Sequence, residues 1–146
     1  MNIKEYMSSR VDDQIKWYSQ KSQVAQRRYK TLQITEIIFA ALIPLLSGYA
    51  TENTTVAIIV GILGSIIAVI ESITKLNKYH ENWIQYRTTC ELLKYHKHLY
   101  LTQTPPYSSS NETIENIFVR NIEDIISSEN SQWKVIISEE QSKNSN

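Results

Sequence analysis

The sequence predicts an all-α membrane protein: a two-span transmembrane helical hairpin whose helices extend into a cytosolic helical bundle, closed by a C-terminal amphipathic helix. Three observations predict it. Two apolar runs, residues 32–50 and 55–74, flank the polar link Thr51-Glu52-Asn53-Thr54. Each approaches the roughly 20 residues a helix needs to cross a bilayer about 30 Å thick at 1.5 Å per residue. Outside these runs, apolar residues recur at steps of three and four, the spacing of one helix face.

The first element, residues 1–31, carries Val11, Ile15, Tyr18, Ser22, Ala25, Tyr29 and Leu32 at alternating four- and three-residue steps, and runs on into the first span at 32–50. Residues 51–54 form the external turn. A link this short cannot join parallel helices, so the second span, 55–74, folds back on the first. The third helix, 75–104, continues directly from the second span, with Leu76, Tyr79, Trp83, Tyr86, Cys90, Leu93, Lys97 and Tyr100 on its seam. Pro105 ends it, because proline disfavours helical geometry in the residue before it. After the Pro-Pro-Tyr loop, Ser110 or Asn111 caps the C-terminal helix, 110–137, whose seam is Ile114, Phe118, Ile122, Ile125, Glu129, Trp133 and Ile136. Residues 1–141 read as a single domain and 138–146 as a polar tail.

Mean hydropathy is −0.32 and formal net charge is zero, yet between residues 37 and 70 only Glu52 and Tyr49 are ionisable. A balanced charge without a basic block excludes a general nucleic-acid binder. The single cysteine, Cys90, permits no intrachain disulfide and suits a reducing compartment. The N-terminal stretch has no apolar core of a signal peptide. Lys21, Arg27, Arg28 and Lys30 precede the first span; Lys75, Lys78, Arg87 and Lys94 follow the second; the turn has neither Lys nor Arg. The positive-inside rule then places both termini in the cytoplasm.

Within the hairpin, Ala57, Gly61, Gly64, Ser65 and Ala68 form a small-residue stripe, which serves close packing against the first span or an oligomer interface. Pro44 removes one helical hydrogen bond and marks a kink or hinge. Counting from the turn, Glu36 lies about 22 Å and Glu71 about 27 Å away at 1.5 Å per residue, so both sit near the inner boundary. There they pair with Lys75, Arg28 or Lys30, or form an acidic ring at a pore mouth that favours cations.

No phosphate-binding glycine loop, HExxH, GxSxG or CxxC occurs, and no active site, metal site or cofactor site is expected. His96 and His98, two residues apart, face different sides of a helix and read as solvent or interface residues. Arg87 with Glu91 reads as an intrahelical salt bridge. Trp83, Tyr86, Arg87, Glu91, Tyr107 and Trp133 are the expected anchors of the bundle; the aromatics could instead stack on a nucleotide base, with Arg87 or Lys94 at its phosphates.

One ordered set of short motifs spans residues 17–133. Tyr18, Lys21 and Tyr29-Lys-Thr-Leu32 precede the first span, and Ala-Leu-Ile-Pro-Leu-Leu surrounds Pro44. Trp83-Ile-Gln-Tyr-Arg87 and Glu91-Leu-Leu-Lys94 follow the second span, then Pro106-Tyr107, Phe118, Ile122-Glu123 and Glu129 with Trp133. In this order the chain resembles the SLATT family of two-span bacterial membrane proteins found beside nucleotide-signalled conflict systems. It departs from the pattern at Tyr95-His96, where an acidic residue is expected. The resemblance implies an oligomeric effector in the bacterial inner membrane that forms a pore or disrupts the bilayer during phage infection. Its trigger is a nucleotide second messenger or a separately encoded sensor. The competing expectation is a membrane-anchored scaffold or adaptor that recruits a cytosolic partner and conducts nothing.

Overall fold

Periodicity and short links become helices in the computed structural model, which describes residues 2–108 and 113–143, with side chains as far as Glu129 and at Ser131. The order is α1 (Ile3–Tyr6), a π-helical turn (Met7–Val11), α2 (Asp12–Ala50), α3 (Thr54–Asn77), α4 (Tyr79–Leu101) and α5 (Ile114–Lys143). Among the described residues there is no strand. Two compact units share these helices, one formed by Met1–Gln20 with Gln85–Asn146 and the other by Lys21–Ile84.

The first unit is a bundle with a mixed aromatic and aliphatic core. Val11 and Tyr18 from the N-terminal segment, Cys90 and Leu93 from α4, Tyr107 from the following loop, and Phe118 and Ile122 from α5 are almost wholly buried. All of these except Tyr107 are seam positions of the sequence pattern, so the three-and-four spacing located most of the core. Ile117 and Ile126 are buried as well, which makes the covered face of α5 wider than one stripe. Tyr100 stacks on Phe118 with ring centroids 4.4 Å apart, and Tyr107 meets Phe118 edge-on at 5.7 Å.

In the second unit the seam continues. Ser22 and Ala25 are buried, and Tyr29, Leu32, Glu36, Phe39, Ile43, Leu46 and Ala50 are part-buried at the same alternating steps. On α3 the part-buried or buried series is Val56, Val60, Leu63, Ile67, Ile70 and Thr74. A heptad-like repeat of this kind is the signature of knobs-into-holes packing between helices. The turn is closed by amides of Glu52 and Asn53 donating to the Tyr49 carbonyl, and Asn53 caps α3 by accepting from the Thr55 amide at 3.0 Å. Helix α2 runs through Pro44 as far as Ala50.

Three boundaries differ from the sequence expectation. Helix α4 does not continue directly from α3: Lys78 adopts a left-handed conformation, φ 46° and ψ 41°, and separates them. The Asn82 amide donates to the Lys78 carbonyl, and the Asn82 side chain donates to the Asn77 carbonyl at 3.1 Å. These bonds satisfy backbone groups that the break exposes. Leu76, expected on the seam, is 82% exposed at this break.

Helix α4 ends at Leu101 rather than at residue 104. Gln103 is left-handed, φ 50°; its amide donates to Tyr100 and that of Thr104 to Leu99, the paired bonds of a Schellman stop. The terminator is therefore Gln103, ahead of Pro105. Helix α5 begins at Ile114, later than residue 110, with the Thr113 carbonyl accepting from Asn116 and Ile117; the expected caps Ser110 and Asn111 lie outside the described residues.

Truncating the fully buried Leu93 to Ala is expected to destabilise the purified protein by roughly 2–5 kcal/mol, whereas Leu92→Ala, at a site 41% exposed, should cost under about 1 kcal/mol. Lys78→Gly should raise stability by roughly 0.5–1 kcal/mol, since glycine adopts the left-handed conformation without a Cβ penalty. Chemical denaturation monitored by circular dichroism checks all three.

Candidate functional site

Two regions combine exposed or functionally unusual side chains. The first is the hairpin. Two helical stretches, Ile3–Ala50 and, across the break at Lys78, Thr54–Leu101, each contain a segment long and apolar enough to cross a membrane, and those segments are 0% and 6% buried within the chain. Eleven aliphatic side chains are exposed along them, from Ile34, Ile37, Ile38, Leu42 and Leu45 on α2 to Ile58, Ile59, Ile62, Ile66, Val69 and Ile73 on α3. A contiguous apolar surface of this extent is rare on a monomeric soluble protein.

Close packing of the small-residue stripe against the first span is not what the structure contains. Ala57, Gly61, Ser65 and Ala68 are exposed and only Gly64 is part-buried. A Cβ added at Gly61 or Gly64 would meet nothing within 4 Å. The larger Val, Leu and Ile residues of the seam face the covered side instead. Ser65 donates its hydroxyl to the Gly61 carbonyl at 2.9 Å, so this polar group is satisfied within its own helix.

The two acidic residues at the polar ends differ in setting. Glu71 pairs with Lys75 at 3.0 Å, one helical turn away, as the charge pattern suggests. Glu36 sits on the covered seam of α2 and accepts from the Gln33 side chain at 3.5 Å.

The second region is the polar network of the bundle. Tyr18 donates to Glu129 at 2.9 Å in a buried contact. Tyr6 donates to Glu123 at 2.8 Å, and Arg10 grips the same carboxylate through Nε and Nη2, both at 3.1 Å. The Arg10 hydrogen bond holds the Glu123 carboxyl below its ordinary range, against the opposing effect of burial. Burial, reinforced by the neighbouring carboxylates, pushes the Tyr6 and Tyr18 phenols well above their ordinary value, so both remain hydrogen-bond donors. Lys97 pairs with Asp12. The π-helical turn brings Tyr6 and Arg10 to Glu123. Sequence spacing missed this N-terminal clasp because a π turn shifts the helical register by one residue and leaves no periodic mark.

Among the expected anchors, Tyr107 is fully buried and Tyr86 packs edge-on to Trp17 with centroids 6.0 Å apart. In the second unit Trp83 is part-buried and stacks with Tyr29 at 6.5 Å. Arg87 and Glu91 are not core anchors: they form an exposed pair at 3.1 Å, which Lys94 joins at 3.2 Å. The side chain of Trp133 lies outside the described residues. Cys90 is buried with Sγ 3.6 Å from the Ile15 carbonyl, which accepts from the thiol. Among the described residues no group of three or more His, Cys, Asp or Glu is arranged to hold a metal.

His96 departs from the expected solvent role. Its Nδ1 lies 2.6 Å from the Tyr107 hydroxyl, to which the Asn121 amide donates at 3.0 Å. In the neutral imidazole with Nδ1 unprotonated, the phenol donates to Nδ1 while accepting from Asn121. Burial lowers the His96 pKa, favouring that neutral form. With the folded pKa below the unfolded value of about 6.5, the unfolded chain binds more protons as pH falls through that range. Stability is thus complete at neutral pH and declines below roughly pH 6.5. His96→Gln should flatten the dependence of melting temperature on pH between about 7.5 and 5.5; an unchanged slope in the variant would show that His96 does not set it.

No functionally characterised protein and no solved structure matches this sequence. Residues 13–115 match the family described as Protein of unknown function (DUF4231). That match takes in α2, α3, α4, the Pro-Pro-Tyr loop and the first residues of α5, and covers well over half of the chain. On that match, the chain belongs to the DUF4231 family.

Proposed function

We propose that the protein is an oligomeric membrane effector whose hairpin spans the bilayer and, when triggered, forms a pore or disrupts the membrane. The observation that carries this reading is the uncovered apolar surface of both spans, 0% and 6% buried in the chain. In water, burying an exposed Leu or Ile is worth about 1.5–3 kcal/mol, so such a surface calls for lipid or another subunit. Two helices enclose no path by themselves, so conduction requires several copies. The uncovered Gly61/Ser65 face supplies a surface on which backbones of neighbouring hairpins can approach closely. The charge distribution around the spans favours both termini in the cytoplasm.

The resemblance of residues 17–133 to SLATT proteins supplies the biological setting: an anti-phage or conflict system of the bacterial inner membrane, with a nucleotide signal or a separate sensor as trigger. In this reading Glu71, and Glu36 if subunit packing turns it from its seam, form the acidic pore mouth. Pro44 marks the place where a span can bend.

Purified protein in dye-loaded liposomes should release dye when exposed to its trigger, supplied as extract from phage-infected cells. Gly61→Ile should reduce that leakage at least tenfold while leaving helix content and thermal stability of the single chain unchanged, because a Cβ added at Gly61 meets nothing within 4 Å. Failure of every extract, nucleotide or partner to permeabilise vesicles or depolarise cells would reject the effector reading. If an unrelated membrane anchor can replace residues 32–74 without loss of function, the protein is a scaffold.

A further inference from the structure

The seam of α5 carries one acidic residue among aliphatic and aromatic ones. Glu129 is 6% exposed. Its Oε2 is held by the Tyr18 hydroxyl at 2.9 Å, but its Oε1 is buried with no hydrogen-bond partner among the described residues. Buried polar atoms are almost always paired, and one that is not points to a water, an ion or a ligand. Glu129 also lines a cavity of about 270 Å³, together with Gln85, Thr88, Thr89, Leu92, Ile125 and Ser128. The α4 residues recur at the spacing of one helix face. An unpaired buried acceptor and a cavity thus coincide within one unit.

We infer that this cavity is a binding site for a small nitrogenous solute bearing an ammonium, amidinium or guanidinium group on a short apolar body. The carboxylate of Glu129 accepts from the nitrogen donors, hydroxyl groups of Thr88, Thr89 and Ser128 are available for further hydrogen bonds, and Leu92 and Ile125 contact the apolar part. Among the described residues the wall contains no Lys or Arg, so an anion would meet the Glu129 carboxylate without compensation from them. Nor does it suit a divalent metal, since among the described lining residues one is a carboxylate and none is His or Cys. The volume lies just below the range of about 300–1,000 Å³ typical of drug-sized ligands, which indicates a small molecule. Heptad spacing does not mark the site, because Glu129 falls on the seam where an apolar residue belongs. The site stands whether or not the hairpin conducts.

Isothermal titration of the full-length protein in detergent tests it, with n-butylguanidinium as probe and n-butyrate as the anionic control of equal chain length. The expected result is saturable binding of the cation at about one per chain, and none of the anion. Glu129→Gln should weaken binding at least tenfold. Ser128→Trp, at an exposed position on the rim, should do the same without loss of helix content, whereas Ser128→Ala should stay within about twofold. Should Glu129→Gln fail to fold, the pair of Ser128 variants decides. Non-saturable heats, equal binding of butyrate, or an affinity within twofold in Ser128→Trp would overturn the site and leave a cavity filled by water only.

Discussion

The aliphatic faces of α2 and α3 have too little of the chain itself to pack against, and the account of this protein turns on what covers them. Each helix spends its heptad seam on contacts inside the second unit, with Phe39, Ile43 and Leu46 on one and Val60, Leu63 and Ile67 on the other. That leaves the opposite faces, including Leu45 at 69% exposed and Ile62 at 54%, without a partner. The exposed side chains there are aliphatic, and the stretch from residue 37 to 70 carries a single charged residue, Glu52 in the turn. In a bilayer it costs nothing, because lipid tails are as apolar as the side chains. In water it would weigh against a net folding stability that is only about 5–15 kcal/mol for an ordinary domain.

The bundle solves a different problem. Its core is rich in tyrosine, and every buried phenol must place its hydroxyl. Tyr6 finds Glu123, Tyr18 finds Glu129, and Tyr107 lies between His96 and Asn121. The Tyr6 and Tyr18 contacts tie residues more than a hundred positions apart, joining the N-terminal segment to α5. Removal of one partner leaves a buried acceptor or donor unpaired, at a cost of about 1–3 kcal/mol, so the network specifies pairing that apolar packing alone would leave loose. The Arg10–Glu123 pair is about two-fifths exposed on each side, and water screening makes it a weaker contributor than its bidentate geometry suggests.

Much of this was legible in the sequence where a periodic rule applied. The stripe from Val11 to Leu32 named the covered side of α2, and Cys90, Leu93, Phe118 and Ile122 were core by spacing alone. The rule failed where local geometry overrides the period. A left-handed lysine at position 78 breaks what reads as one continuous helix, since residues of this type seldom adopt that conformation. Gln103 ends α4 by the same device, ahead of Pro105, the terminator the sequence predicts. The π turn hides the clasp of Tyr6 and Arg10 on Glu123, and the small-residue stripe, one reading of which is packing against the first span, is largely exposed instead. Glu129 was visible as a seam position, but its hydrogen bond to Tyr18 depends on a helix far away in sequence.

The environment of the uncovered faces is the central claim, and spin-label accessibility measures it directly. Single labels at Ile37, Leu45, Ile62 and Val69, introduced into a Cys90→Ala background, can be read in membrane vesicles against molecular oxygen and a water-soluble nickel chelate. A lipid-facing hairpin predicts strong oxygen collisions and weak nickel collisions at all four, unlike a label at the exposed, polar-end residue Leu101. Nickel collisions at these four positions as frequent as at Leu101 would contradict the account.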